Sequence, residues 1–110
     1  MNADVKIYCI TFGALDVDLD ALQQYLFDSS DIIAFWNYVP LVYCVKSRFT
    51  ATELTVKLRH FFPRGTYMVV EVNPQNMNGI LPNEAWHWFN MHHHEKTYPP
   101  SPYNVNASPN

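Results

Sequence analysis

Histidines near the C-terminus are the first residues in this chain whose types and spacing could do chemistry. His87, His92, His93 and His94, with Glu84 three positions before the first, carry donor atoms that suit zinc or nickel. A structural metal centre needs four ligands in a defined geometry, and histidines following a helix are also explained by attraction to its negative end. The pattern therefore favours no metal site.

Three aspartates, Asp16, Asp18 and Asp20, form a second candidate for metal chemistry. On a helix, positions two and four apart scatter their carboxylates around the axis, so the three would not converge on one cation. The chain contains no Gly-x-Ser-x-Gly elbow, and its three glycines are too few for a phosphate-binding loop. The sequence predicts no catalytic residues, no metal and no cofactor.

The two cysteines, Cys9 and Cys44, lie far apart in apolar, strand-like segments. This setting predicts buried free thiols in a reducing compartment rather than a disulfide framework. The N-terminal segment lacks the features of a signal peptide, and the longest uncharged run in the first half, residues 32–45, is shorter than the ~20 residues of a membrane-spanning helix. We therefore expect a cytoplasmic protein with no membrane association.

Charge is distributed unevenly, although the formal net charge is only −3. Residues 46–64 contain one acidic residue and five basic ones, which are the candidate contacts to nucleic acid or to a protein partner: Lys46, Arg48, Lys57, Arg59 and Arg64. Basic residues near aromatic ones suit single-stranded nucleic acid, whereas a solvated helix face balancing the acidic residues 1–31 explains the same pattern. The overall acidity favours a protein partner.

The elements that would position these residues follow from hydrophobic periodicity and turn signals. The predicted order is strand, helix, strand, strand, helix, strand and a final helix, over residues 5–12, 17–27, 32–38, 41–46, 50–62, 67–72 and 82–91. A βαββαβ order predicts an α+β, ferredoxin-like sandwich, with a four-stranded antiparallel sheet whose first and third strands are central neighbours, and an added C-terminal helix.

The second helix has the clearest start signal. Thr50 and Glu53 have the spacing of a capping box, and Phe49 and Leu54 have the spacing of a hydrophobic staple. Pro63 is expected to end this helix, since proline cannot continue the hydrogen-bond ladder.

Aromatic residues on the second and third strands exceed what a solvated sheet face should show. We expect this face to be covered by the helix containing Trp86 and Trp88, by a second subunit, or by both. The predicted dimer or partner surface consists of Phe35, Trp36, Tyr38, Trp86 and Trp88.

The last residues have a different composition from the rest. Residues 97–110 contain four prolines, three asparagines and two serines but no charge. Such a segment buries too little apolar surface to offset its ordering entropy. We predict a domain over residues 1–92 and a flexible tail over residues 93–110.

Several segments together resemble a known family. These are Lys6-Ile-Tyr-Cys-Ile-Thr-Phe-Gly13, Trp36-x-Tyr38 before Leu41-Val-Tyr-Cys-Val-Lys-Ser47, Met68-Val-Val-Glu-Val72, and the most specific one, Gly79-Ile-Leu-Pro-Asn-Glu-Ala-Trp-His-Trp-Phe89. Over roughly residues 5–90 the chain resembles the SinR-like small proteins, which are similar to the ferredoxin-fold subunit of CRISPR spacer acquisition and to VapD-type ribonucleases.

This resemblance implies a homodimer built sheet against sheet. It also implies a metal-dependent phosphodiesterase site formed by an aspartate at the end of the first strand of each subunit, where this chain has Phe12-Gly13. Without that carboxylate, nuclease activity does not carry over.

The resulting expectation is a non-catalytic dimeric adaptor of a nucleic-acid-related or mobile-element system, such as phage defence or counter-defence. The alternatives are a metal-dependent ribonuclease that uses Asp16 or the histidines, and a purely structural dimer.

Overall fold

A computed structural model describes residues 4–13 and 17–91 of the chain. Its strands are β1 (Lys6–Phe12), β2 (Ile32–Trp36), β3 (Val42–Ser47) and β4 (Tyr67–Glu71). Its helices are α1 (Leu19–Asp28), α2 (Ala51–Leu58) and α3 (Asn83–Asn90), with a 3₁₀ turn at Arg59–Phe61 after α2. The predicted tail, residues 93–110, lies outside the described residues.

The four strands form one antiparallel sheet in the order β2-β3-β1-β4. The predictions of an α+β protein and of a central β1–β3 pair are confirmed. Within the described part of the chain, no helix is long and apolar enough to cross a membrane.

The first two helices and the sheet share the larger of two cores. We call this side of the sheet the helical face. Leu22 and Leu26 of α1 and Leu54 and Leu58 of α2 are completely buried there. The sheet contributes alternate residues to this face, since neighbouring side chains of a strand point to opposite sides: Tyr8, Ile10, Phe35, Tyr43, Val45 and Val69.

Capping residues determine where both of these helices begin. The predicted capping box of α2 is confirmed, because the Glu53 backbone N–H donates to Thr50 Oγ1 at 3.1 Å and the Thr50 N–H donates to Glu53 Oε1 at 2.8 Å. Asp18 accepts from the Ala21 N–H at 3.0 Å, so α1 begins at Leu19 rather than at residue 17.

The connection between β2 and β3 is longer than the sequence predicts. β2 ends at Trp36 rather than at Tyr38, and Leu41 in the turn has a positive φ of 64°. This backbone conformation is strained for leucine. The turn nevertheless joins the sheet, because the Phe12 N–H donates to the Leu41 carbonyl at 3.3 Å.

Candidate functional site

The second side of the sheet, which we call the α3 face, is covered over β2 and β3 by α3. Trp36 contacts Trp88 and Phe89 edge to face, with ring centroids 6.0 and 5.7 Å apart. Trp36 and Trp88 are therefore core residues of a second apolar cluster, and Phe35 is buried on the helical face. The predicted cover by α3 is observed.

This burial changes the predicted partner surface. Phe35, Trp36 and Trp88 are buried within one chain and are not accessible to a partner. Tyr38 and Trp86 are partly buried at the edge of the cluster that contains Trp36 and Trp88. The aromatic excess thus reflects a sheet with cores on both sides, and the accessible surface must be sought elsewhere.

Lys46, one of the predicted binding residues, anchors α3 instead of lying on the surface. Its Nζ donates to the carbonyl oxygens of Trp88 at 2.6 Å and Met91 at 2.9 Å, and lies 4.4 Å from the centroid of the Trp88 ring. A cation at this position meets the negative end of the helix. Burial lowers the pKa of Lys46 to about 8.

The β1–β4 side of the α3 face remains accessible. We call this surface the open half and define it by Cys9, Thr11, Met68 and Val70. Met68 and Val70 are 58% and 42% exposed, and Cys9 and Thr11 are partly exposed. None of the four is charged, so the open half is an accessible surface of mainly apolar character.

The two cysteines meet at the border of the open half. Cys9 and Cys44 are direct cross-strand partners, and their Sγ atoms are 3.4 Å apart. Both are free thiols, as predicted. Cys44 is buried, but Cys9 is partly exposed.

Hydrogen bonding within this pair separates the acidities of the two thiols. The hydrogen-bonding contact with Cys44 lowers the pKa of Cys9 below that of an ordinary thiol. The pKa of Cys44 is raised by the same contact and by burial. The sequence does not reveal this contact, because the contact depends on the β1–β3 register. The one signal for it in the sequence is a cysteine near the middle of each of two strands predicted to be neighbours.

The remaining predicted binding residues, Arg48, Lys57, Arg59 and Arg64, are all exposed. They lie on α2 and on the segments that lead into it and away from it. Lys57 Nζ lies 5.7 Å from the centroid of the Phe49 ring. We call these four residues the basic surface.

A groove of about 560 Å³ lies at the start of α1 and is lined by Val17, Asp18, Leu19, Asp20, His60 and Pro63. The Asp18 carboxylate already accepts the hydrogen bond that caps α1. Among residues 4–13 and 17–91, no three acidic, histidine or cysteine side chains form a group that could hold a metal ion. Asp16, His92, His93 and His94, proposed for the ribonuclease alternative, lie outside the described residues.

Comparison of the chain with models of protein families, with curated proteins and with solved structures finds no match. The case for its function therefore comes from the geometry of its own residues.

Proposed function

We propose that this chain is a non-catalytic binding domain that acts as a homodimer, in which two copies meet through the open half and present their basic surfaces to an acidic protein partner. The observation that carries the proposal is the exposure of Met68 and Val70 on the part of the sheet that α3 does not cover. Large apolar side chains exposed together on a sheet are typical of interaction sites.

The composition of the open half supports a second copy as its occupant. Lys6 and Glu71, on the two strands that form the open half, point to the helical face and lie 3.8 Å from each other. Lys46 is on the α3 face, but it is buried beneath α3. An uncharged surface has no cations that could bind a polyanion. It can pack against the same apolar surface of a second copy across a two-fold axis. Among the strands that the structure describes, β4 lies at an edge of the sheet, and this edge can extend such an interface.

The arrangement of the strands supports a ferredoxin-like framework for this domain. The strand order is β2-β3-β1-β4, and every neighbouring pair is antiparallel. Both α1 and α2 lie on the helical face. A split βαβ pattern favours this arrangement. In such a framework the open half of the α3 face is available for pairing between subunits, which agrees with the resemblance to the SinR-like proteins.

Charging the open half is expected to separate the dimer. We expect light scattering to give a dimeric mass for the full chain and a monomeric mass for a Met68→Lys/Val70→Lys variant, because two ammonium groups would face two others across the axis. Both sites are exposed, so circular dichroism of the variant should be unchanged.

The matched control is Val56→Lys, which alters a valine on α2 that is 63% exposed. It should leave the dimeric mass unchanged. A monomeric mass for the unaltered chain at about 100 μM, where a dimer with a micromolar Kd would form, contradicts the proposal. A dimer that survives the double change would locate the interface elsewhere.

The basic surface supports the second part of the proposal, an acidic partner. Its four cations extend over 17 residues of sequence on and around α2, whereas Asp18 caps α1 and Asp20 lies in the first turn of α1. Because the chain as a whole is acidic, a local acidic protein surface is a better match than the long-range field of a nucleic acid.

Reversal of two charges on the basic surface is expected to weaken binding of model polyanions. We expect fluorescence anisotropy to show a labelled poly-glutamate peptide bound by the unaltered chain and at least ~10-fold more weakly by Lys57→Glu/Arg59→Glu, since each lost contact removes a charge-assisted interaction. Lys6→Glu, on another part of the surface, is the control.

Tighter binding of single-stranded RNA than of the peptide would instead identify a nucleic-acid partner. In that case the slope of log binding constant against log salt concentration should fall by about two in the double variant. Equal binding of the peptide by all variants would rule out the basic surface as its binding site.

A further inference from the structure

We propose that Cys9 and Cys44 form a redox-active dithiol, which closes reversibly into a cross-strand disulfide by exchange with a low-molecular-weight disulfide. The inference does not rest on the proposed function, and the proposed dimer would slow the exchange by covering Cys9. It begins with the 3.4 Å separation of the two Sγ atoms, which must shorten to about 2.05 Å in a disulfide. Rotation of the two side chains supplies a change of this size.

The backbone positions of the two residues also suit a disulfide. The hydrogen bond from Phe12 N–H to the Leu41 carbonyl shows which residue pairs of β1 and β3 are hydrogen-bonded. Hydrogen-bonded and non-hydrogen-bonded pairs alternate along antiparallel strands, so Cys9–Cys44, three positions away, is a non-hydrogen-bonded pair. In such pairs the Cα atoms are about 4.5 Å apart, which lies at the short end of the range of about 4.4–6.8 Å found in disulfides.

The surroundings of the two thiols assign them different roles. Cys9 borders the open half and is partly exposed, so a small disulfide can reach it. Cys44 is 2% exposed and lies in the apolar cluster beneath α3. The low pKa of Cys9 increases its thiolate fraction near neutral pH. Cys9 is therefore the attacking thiol, and Cys44 is the thiol that resolves the mixed disulfide.

The exchange proceeds in two balanced steps. The Cys9 thiolate attacks one sulfur of the small disulfide, forms a mixed disulfide and releases one small thiolate. The Cys44 sulfur then attacks the Cys9 sulfur, its proton passes to the second departing small thiolate, and the Cys9–Cys44 bond forms. The protein loses two electrons and two hydrogens, and the small disulfide is reduced to two thiols.

The product should be readily reducible. A disulfide across a non-hydrogen-bonded strand pair must fit the short Cα separation, and strained disulfides have more oxidising potentials than ordinary structural ones. The pair therefore fits a reversible switch between dithiol and disulfide better than a permanent brace. Its formation would link the two central strands beneath the edge of α3.

Intact-mass spectrometry of the full chain in glutathione redox buffers tests the inference. After alkylation of remaining thiols, we expect the unaltered chain to lose about 2 Da and to take up no alkyl group at oxidising ratios, with reversal by excess glutathione. Cys44→Ser should accumulate a glutathione adduct, because its attacking thiol remains and its resolving thiol is gone. Cys9→Ser should react at least ~10-fold more slowly, because the remaining thiol is buried.

The chain contains two cysteines in all, so every modification can be assigned. Cys44→Ala serves as a second form of the resolving variant if serine in the apolar cluster disturbs folding, which near-ultraviolet circular dichroism reports. The unaltered chain unfolded in urea is the matched control, because unfolding separates the two cysteines. We expect its equilibrium constant for disulfide formation to be at least ~10-fold lower than that of the folded chain.

Two outcomes would overturn the inference. One is a folded chain that keeps two alkylatable thiols at every glutathione ratio. The other is Cys9→Ser reacting as fast as Cys44→Ser, which would remove the distinction between attacking and resolving thiols. The proposed dimer is tested separately by the same reaction, because dimerisation would cover Cys9 and slow oxidation as protein concentration rises. An oxidation rate that does not depend on protein concentration contradicts the proposed dimer but not the redox-active dithiol.

Discussion

Trp88→Ala is expected to lower the free energy of unfolding by about 3–5 kcal/mol, a large part of the roughly 5–15 kcal/mol that stabilises a domain of this size. The Trp88 side chain is 2% exposed and contacts the rings of Trp36 and Phe89. Truncation to alanine removes these contacts and leaves a cavity between α3 and the sheet. Urea denaturation followed by far-ultraviolet circular dichroism measures the loss.

Trp86→Ala is the matched control, since it removes the same side chain from the same helix. Trp86 is only partly buried and lies at the edge of the cluster. We therefore expect Trp86→Ala to lower the free energy of unfolding by less than half as much as Trp88→Ala does. Equal losses for the two variants would contradict the packing of α3 through Trp88. A separate early transition in Trp88→Ala would indicate that α3 detaches before the sheet unfolds.

Lys46→Glu should detach α3 or unfold the domain, with a loss of at least ~3 kcal/mol. The change would place a buried carboxylate against the carbonyls of Trp88 and Met91, at the negative end of the helix. Lys57→Glu reverses the charge of an exposed lysine and should change stability by no more than about 0.5 kcal/mol. A stable, fully folded Lys46→Glu variant would show that the ammonium does not hold α3.

The low pKa of Lys46 predicts a dependence of stability on pH. Burial lowers this pKa from 10.5 to about 8, so between these pH values the unfolded chain binds more protons at Lys46 than the folded chain does. Stability therefore rises with pH across this window, as the cost of burying the charge disappears. We expect the free energy of unfolding of the unaltered chain, relative to Lys46→Met, to increase from pH 8 to pH 10.5. A decrease would mean that the two carbonyls favour the ammonium more than burial opposes it.

The parts of the fold that depend on local signals could be predicted from the sequence. The capping box at Thr50, the strand over residues 5–12 and the apolar spacing in α2 each involve neighbours within a few residues, and each is observed. Lys46 and Trp88 lie 42 residues apart, so nothing local distinguishes this lysine from the exposed basic residues near it. Leu19 has the helical spacing of the buried Leu22 and Leu26, but it is 42% exposed at the first position of α1.

The burial of Lys46 also bears on how the chain reaches its folded state. α3 follows the sheet in sequence, so during synthesis β2, β3 and β1 can pair before α3 emerges. At that stage the sheet surface that α3 later covers would be apolar except for one ammonium group, that of Lys46 near the end of β3. Inward-pointing charges of this kind discourage association between unfinished sheets. The lysine that later holds α3 would thus protect the nascent chain from aggregation until its covering helix arrives.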